Sequence, residues 1–144
     1  MERSPESMLD TFHWFRGEGF DLIVADLLSL PQRPGVVVEG FRLLPELVQP
    51  LAHPGHAVWL LPTSRFRRTA LEQRGSLWEI AARTSDPDRA LHNLLERDRM
   101  FTERLRADVQ RLGLPAIEVD TTMSEAELAA RVADVLTLTA APPG

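Results

Sequence analysis

The chain has 144 residues, 44% of them apolar and 26% charged, with a net charge of -5. That length predicts one domain, 1–144, large enough to bury a core without staples. It contains no cysteine, which excludes disulfides, thiolate metal sites and cysteine nucleophiles. No apolar run reaches the ~20 residues that span a bilayer, and Met1-Glu2-Arg3-Ser4-Pro5 lacks an apolar signal region. A cytoplasmic protein with no membrane partner is therefore expected. The acidic balance likewise argues against nucleic acid as a partner. All sixteen basic side chains are arginine.

In chain order, Ser4 and Pro5 make a cap-plus-first-turn signature, with Met8, Leu9, Phe12 and Phe15 on one face behind it. Gly17-Glu18-Gly19 lacks the strand and third glycine of a dinucleotide fingerprint and reads as a loop. The stretch Phe20 to Leu30 fits two periods. Phe20 to Val24 suits a strand, while Ile23, Leu27 and Leu30 suit a helix, the reading we favour. Val36-Val37-Val38 is β-branched and reads as a buried strand running into Glu39-Gly40. Leu43 to Leu51 is a short helix, with Pro45 tolerable only near its start. Ala57 to Leu61 is a second apolar run, leading into Pro62-Thr63.

Ser64 to Arg74 reads as an arginine-studded helix ended by Gly75. The longest element is a helix from Asp88 to Leu112. Its apolar stripe comprises Leu91, Leu94, Leu95, Phe101, Leu105, Val109 and Leu112, and Gly113 stops it. Ala116 to Val119 is the third strand, running into Asp120-Thr121-Thr122. A capping box, Ser124 to Glu127, opens the last helix, with Leu128, Val132, Val135 and Leu136. Ala140 to Gly144 is a tail. Strands alternating with helices predict an α/β fold, a three-layer parallel sheet with flanking helices. Its ligand edge would carry the loops that begin at Glu39, Pro62 and Asp120.

Val36-Val37-Val38-Glu39-Gly40-Phe41-Arg42 resembles the strand and acid-Gly-Phe turn of nucleoside monophosphate kinases and related P-loop small-molecule kinases. The segment Ala57 to Gly75 looks like their next strand and arginine-bearing helix. Asn93 to Arg99 is similar to the lid-return helix, and Leu112 to Asp120 to the final strand. The chain thus resembles the later part of a P-loop kinase-like domain of actinobacterial type. The family's first strand and phosphate loop have no counterpart. A Walker A loop requires G-x-x-x-x-G-K-[ST], and this chain has no lysine. In the family that first strand lies between those matching Val36–Val38 and Ala57–Leu61. Three readings follow: a misplaced start codon, a truncated relic, or a gap filled by another chain or a rearranged strand. The first two are favoured.

The resemblance implies roles for particular residues. Glu39, Arg74 and Arg97 would be catalytic, Glu39 beside Mg²⁺ and the arginines over the donor phosphates of ATP. Arg42 would meet an acceptor phosphate, with Asp26 and Trp14 as further substrate contacts. Arg67, Asp120, Thr121 and Thr122 would bind nucleotide. Each also has a plain reading. Glu39 can bond loop amides, the arginines can form a solvated charged face, and Asp120-Thr121-Thr122 can be an ordinary turn. Phe12, Trp14 and Phe15 can be core packing. Asp98, between Arg97 and Arg99, reads as structural. His53-Pro54-Gly55-His56 offers two imidazoles but no third ligand, so no metal site is expected there. The function implied is a nucleotide-dependent phosphotransferase-like domain, inactive as the chain stands, with a small-molecule or nucleotide ligand. The alternative is a non-catalytic ligand-binding or dimerising module, a homodimer covering the apolar surface that the absent strand would leave.

Overall fold

The structure, a computed structural model, describes residues 3–74, 79 and 81–137. The side chain of Trp14, the expected stop at Gly75 and the tail from Ala140 fall outside the described residues.

The chain opens with α1 (Pro5–Thr11), where the Ser7 amide donates to Ser4 Oγ at 3.3 Å and Pro5 sits at the first turn. A 3-10 turn, His13–Arg16, leads to α2 (Phe20–Ser29), and the helical reading of that stretch holds. Then come α3 (Pro45–Val48), β1 (Trp59–Pro62), α4 (Ser64–Arg74), α5 (Pro87–Leu112), β2 (Ala116–Val119) and α6 (Glu125–Val135). The Asp86 carboxylate accepts the Arg89 amide at 3.1 Å and Pro87 fills the first turn, so α5 starts on a cap. At its other end Gly113 adopts φ 64°, and the Leu114 amide reaches back to the Val109 carbonyl at 2.8 Å. That left-handed stop favours glycine because a Cβ would crowd the following carbonyl.

Among the described residues two strands form, not the three expected. β1 and β2 pair in parallel, with Trp59 opposite Ala116 and Pro62 opposite Val119. The fold is therefore mixed α/β around a small parallel sheet. Val36–Val38 joins no ladder. It lies in an irregular, exposed stretch, with Val37 81% exposed. A strand needs a neighbour for its backbone groups, and among the described residues β1 pairs only with β2, so this stretch has none. α3 is also shorter than expected, because Pro50 has no amide with which to continue the ladder.

The core forms where α5 meets its neighbours. Leu9 and Phe15 pack on Phe101, the two rings stacking at 4.0 Å between centroids. Trp59 and Leu61 pack on Val109, and Leu105 joins both groups. The Trp59 indole N–H donates to the Leu43 carbonyl at 3.1 Å, which ties the loop before α3 to the sheet. α2 differs from the rest: none of its ten residues is buried, and it packs substantially against no other described helix or strand. No described helix is long and apolar enough to cross a membrane.

Candidate functional site

The parallel pairing brings the carboxyl ends of β1 and β2 to one edge, where the chain turns into α4 and towards α6. Thr63 makes the first of these turns. Its amide donates to the Val119 carbonyl at 2.9 Å, its carbonyl accepts the Arg67 amide, and its Oγ1 accepts the Phe66 amide at 3.1 Å. Thr63 thus finishes the sheet and caps α4 at once. The first-turn amides of Ser64 and Arg65 have no intrahelical acceptor, as in any helix start. Ser64 lines a cleft of about 370 Å³ between the end of β1, the first turns of α4 and the flank of α5. Ligand pockets typically occupy ~300–1,000 Å³, so this one suits a small molecule.

Charge in the cleft is nearly all paired. Among the described residues Asp98 is the one buried charged side chain, 6% exposed. It accepts two hydrogen bonds from Arg67, at 3.1 and 2.6 Å, and two from Arg97, at 3.0 and 2.7 Å. The Arg97 guanidinium also lies 5.5 and 5.3 Å from the ring centres of Phe12 and Phe15, a cation–π arrangement. Arg106 reaches Glu118 at 2.9 Å, and Arg99 holds Glu96 through three contacts of 2.6–3.1 Å. The Arg99 hydrogen bonds hold the Glu96 carboxyl below its usual range and raise the Arg99 guanidinium in turn. Arg68 also lines the cleft, exposed and with no ion-pair partner among the described residues.

The expected site residues are dispersed. Arg67 borders the cleft and meets Arg97 through Asp98, although Arg97 itself faces the aromatic cluster. Arg74 closes α4 and is exposed. Glu39 stands in the exposed stretch after Val38, and Asp26 is exposed on α2. Arg42 is half-buried, with its guanidinium against Gly19. Trp14 lies on the 3-10 turn. Asp120, Thr121 and Thr122 occupy the turn after β2, on the same sheet edge as Thr63. There the Asp120 carboxylate accepts the Thr122 hydroxyl and amide, both at 2.6 Å. Those bonds, the hydroxyl first, hold its carboxyl below the usual range, with a smaller attraction from Arg65. The Asp120 carboxylate and the Thr122 hydroxyl are thus already bonded to each other.

His53 and His56 sit edge-on, 5.7 Å between ring centres. Among the described residues no three His, Asp or Glu side chains gather as a metal-holding group. The residue whose importance sequence reasoning underrated is Asp98. It sits four after Leu94 and three before Phe101, inside the apolar stripe of α5, and that spacing was the signal available.

Fold and cleft together define a class no finer than a mixed α/β domain with a polar cleft at its strand ends. Compared with protein-family models, curated proteins and solved structures, the chain shows no match in any of the three.

Proposed function

We propose that this domain binds a small anionic ligand of the nucleotide class in the cleft at the carboxyl end of β1, within a kinase-like three-layer layout, and transfers no phosphoryl group. The observation that carries the proposal is a coincidence of three features in one cleft. A parallel strand ends there, a capped helix begins there, and Arg68 stands beside them with no ion-pair partner among the described residues. Strand ends of open α/β sheets and first-turn helix amides both favour phosphate-like charge. The alternation of burial supports the layering. Trp59 and Leu61 are buried against α5, whereas Ile117 and Val119, at the alternate register, are buried in the strand that contacts α6.

The non-catalytic clause rests on the separation of the groups that phosphoryl transfer would need together. Arg97 and Arg67 are bound to Asp98, Glu39 is out on an exposed stretch, and the chain contains no lysine. The test is thermal melting with Mg-ATP, Mg-GTP, nucleoside monophosphates and inorganic phosphate, each with and without Mg²⁺. A ligand at a hundredfold its dissociation constant adds about 2.7 kcal/mol, several degrees for a domain of this size. Arg68→Ala should remove that shift while leaving the unliganded melting point in place. A flat panel on a cooperatively melting protein rejects ligand binding in this cleft. Turnover of ATP by the pure chain rejects the non-catalytic clause.

A further inference from the structure

Helix α2 and the stretch after it expose a run of large apolar residues. Leu28 is 82% exposed, Val37 81% and Leu22 71%, and Leu27, Leu30, Val36 and Val38 are exposed as well. Large apolar side chains left in water in such number mark an interaction surface. The helix carries Asp21, Asp26 and Ser29 towards one side and Ile23, Val24, Leu27 and Leu28 towards the other, an apolar stripe of the kind that normally packs on a neighbour. It packs substantially against no other described helix or strand, and only Phe20, Ile23 and Val24 of it are partly covered.

We infer that a second copy of this chain covers this surface, in a two-fold dimer built on α2 and the Val36–Val38 stretch. The charges at the two ends of that stretch favour a second copy over an unrelated partner. Arg33 precedes the valines and Glu39 follows them, both exposed and neither ion-paired among the described residues. Two such segments laid antiparallel about Val36 set Arg33 of each copy opposite Glu39 of the other, so the pattern is complementary to itself. A two-fold interface demands this of any surface that meets its own copy. The same arrangement gives the Val36–Val38 backbone, which has no ladder in the single chain, a strand to pair with. The inference stands apart from ligand binding in the cleft, which uses none of these residues.

Sedimentation velocity on the 144-residue protein, across a concentration series, tests it. The parent should sediment as a dimer that dissociates on dilution. Leu28→Glu and Val37→Glu should each weaken it by roughly thirtyfold or more, the effect of losing an interface hot spot. Both positions are exposed, so the circular dichroism of the monomeric variants should match the parent. Arg33→Glu should also weaken the dimer, and adding Glu39→Arg should restore it by reversing the pair. A parent that stays monomeric at concentrations of order 100 µM overturns the inference, such an interface falling outside the range of specific complexes. A dimer indifferent to Leu28→Glu and Val37→Glu overturns it too, by placing the interface elsewhere. Failure of the double charge reversal to restore association overturns the antiparallel register.

Discussion

Replacing Asp98 by alanine tests the reading of this residue as the clamp that joins α4, α5 and the aromatic cluster. The substitution removes four hydrogen bonds from two guanidiniums. The two arginines do not lose equally. The Arg67 side chain is 45% exposed and can turn into water, whereas that of Arg97 is 18% exposed and held over Phe12 and Phe15. Removing one partner of a buried ion pair costs ~3–5 kcal/mol, mostly for the charge left behind. With one arginine half in solvent, the lower end applies, about 3 kcal/mol. For a chain of this length that amounts to a fall in melting temperature of about 10 °C.

Urea unfolding followed by circular dichroism would measure the cost directly, with the midpoint falling at unchanged slope. Arg67→Ala provides the contrast: it leaves Asp98 paired with Arg97 and should cost only about 1 kcal/mol. The double change Arg97→Met with Asp98→Leu removes both buried charges and should recover most of the loss, since apolar replacements of buried pairs are often neutral. A cost below ~1 kcal/mol for Asp98→Ala would refute the reasoning, because it would mean that Arg97 finds water or another acceptor without strain.

Further outcomes concern the sheet, the helix ends and pH. Leu61→Ala empties a site only 2% exposed between β1 and α5, and should cost about 3 kcal/mol by urea titration. Ser124→Ala removes the acceptor of the Glu127 amide at the start of α6, and the same titration should show a loss of about 1 kcal/mol. Gly113→Ala meets no neighbouring atom, so its cost of about 1–2 kcal/mol is the strain of the left-handed stop alone. Asp120 has a lowered pKa, so its turn adds stability above the ordinary carboxylate range and loses it as pH falls through the folded value. Asp120→Ala should therefore be less stable than the parent at pH 6, with the gap closing as the pH falls below about 4.

What could be read from the sequence were features that depend on near neighbours. The Ser4-Pro5 start, the Ser124 cap and the Gly113 stop are each set within a turn of helix, and each holds. The capping box at Ser124 is only half made, because Glu127 reaches forward to Arg131 at 2.7 Å instead of back. The start of α4 at Ser64 was legible for the same reason, with Thr63 capping it. Val36–Val38 was not, since three β-branched residues specify an extended backbone but not the strand that must lie beside it. Arg97 failed differently. Its position in chain order was clear, but whether a guanidinium faces a ligand or a buried carboxylate depends on which element packs against α5.

Asp98 connects these points. In the cleft it holds Arg67, and on the other side of α5 it holds Arg97 above the rings that α1 and the 3-10 turn bring in. A carboxylate so placed stabilises the packing and withdraws Arg67 from any anion in the cleft. The two roles oppose each other, so Asp98→Ala should release the half-exposed Arg67 towards the cleft while lowering stability. An anion that binds there would then shift the melting point of the variant more than that of the parent. If Asp98 served packing alone, with Arg67 out of reach of the cleft, the two shifts would be equal. The comparison thus separates a charge that only stabilises the fold from one that also sets how strongly the cleft attracts its ligand.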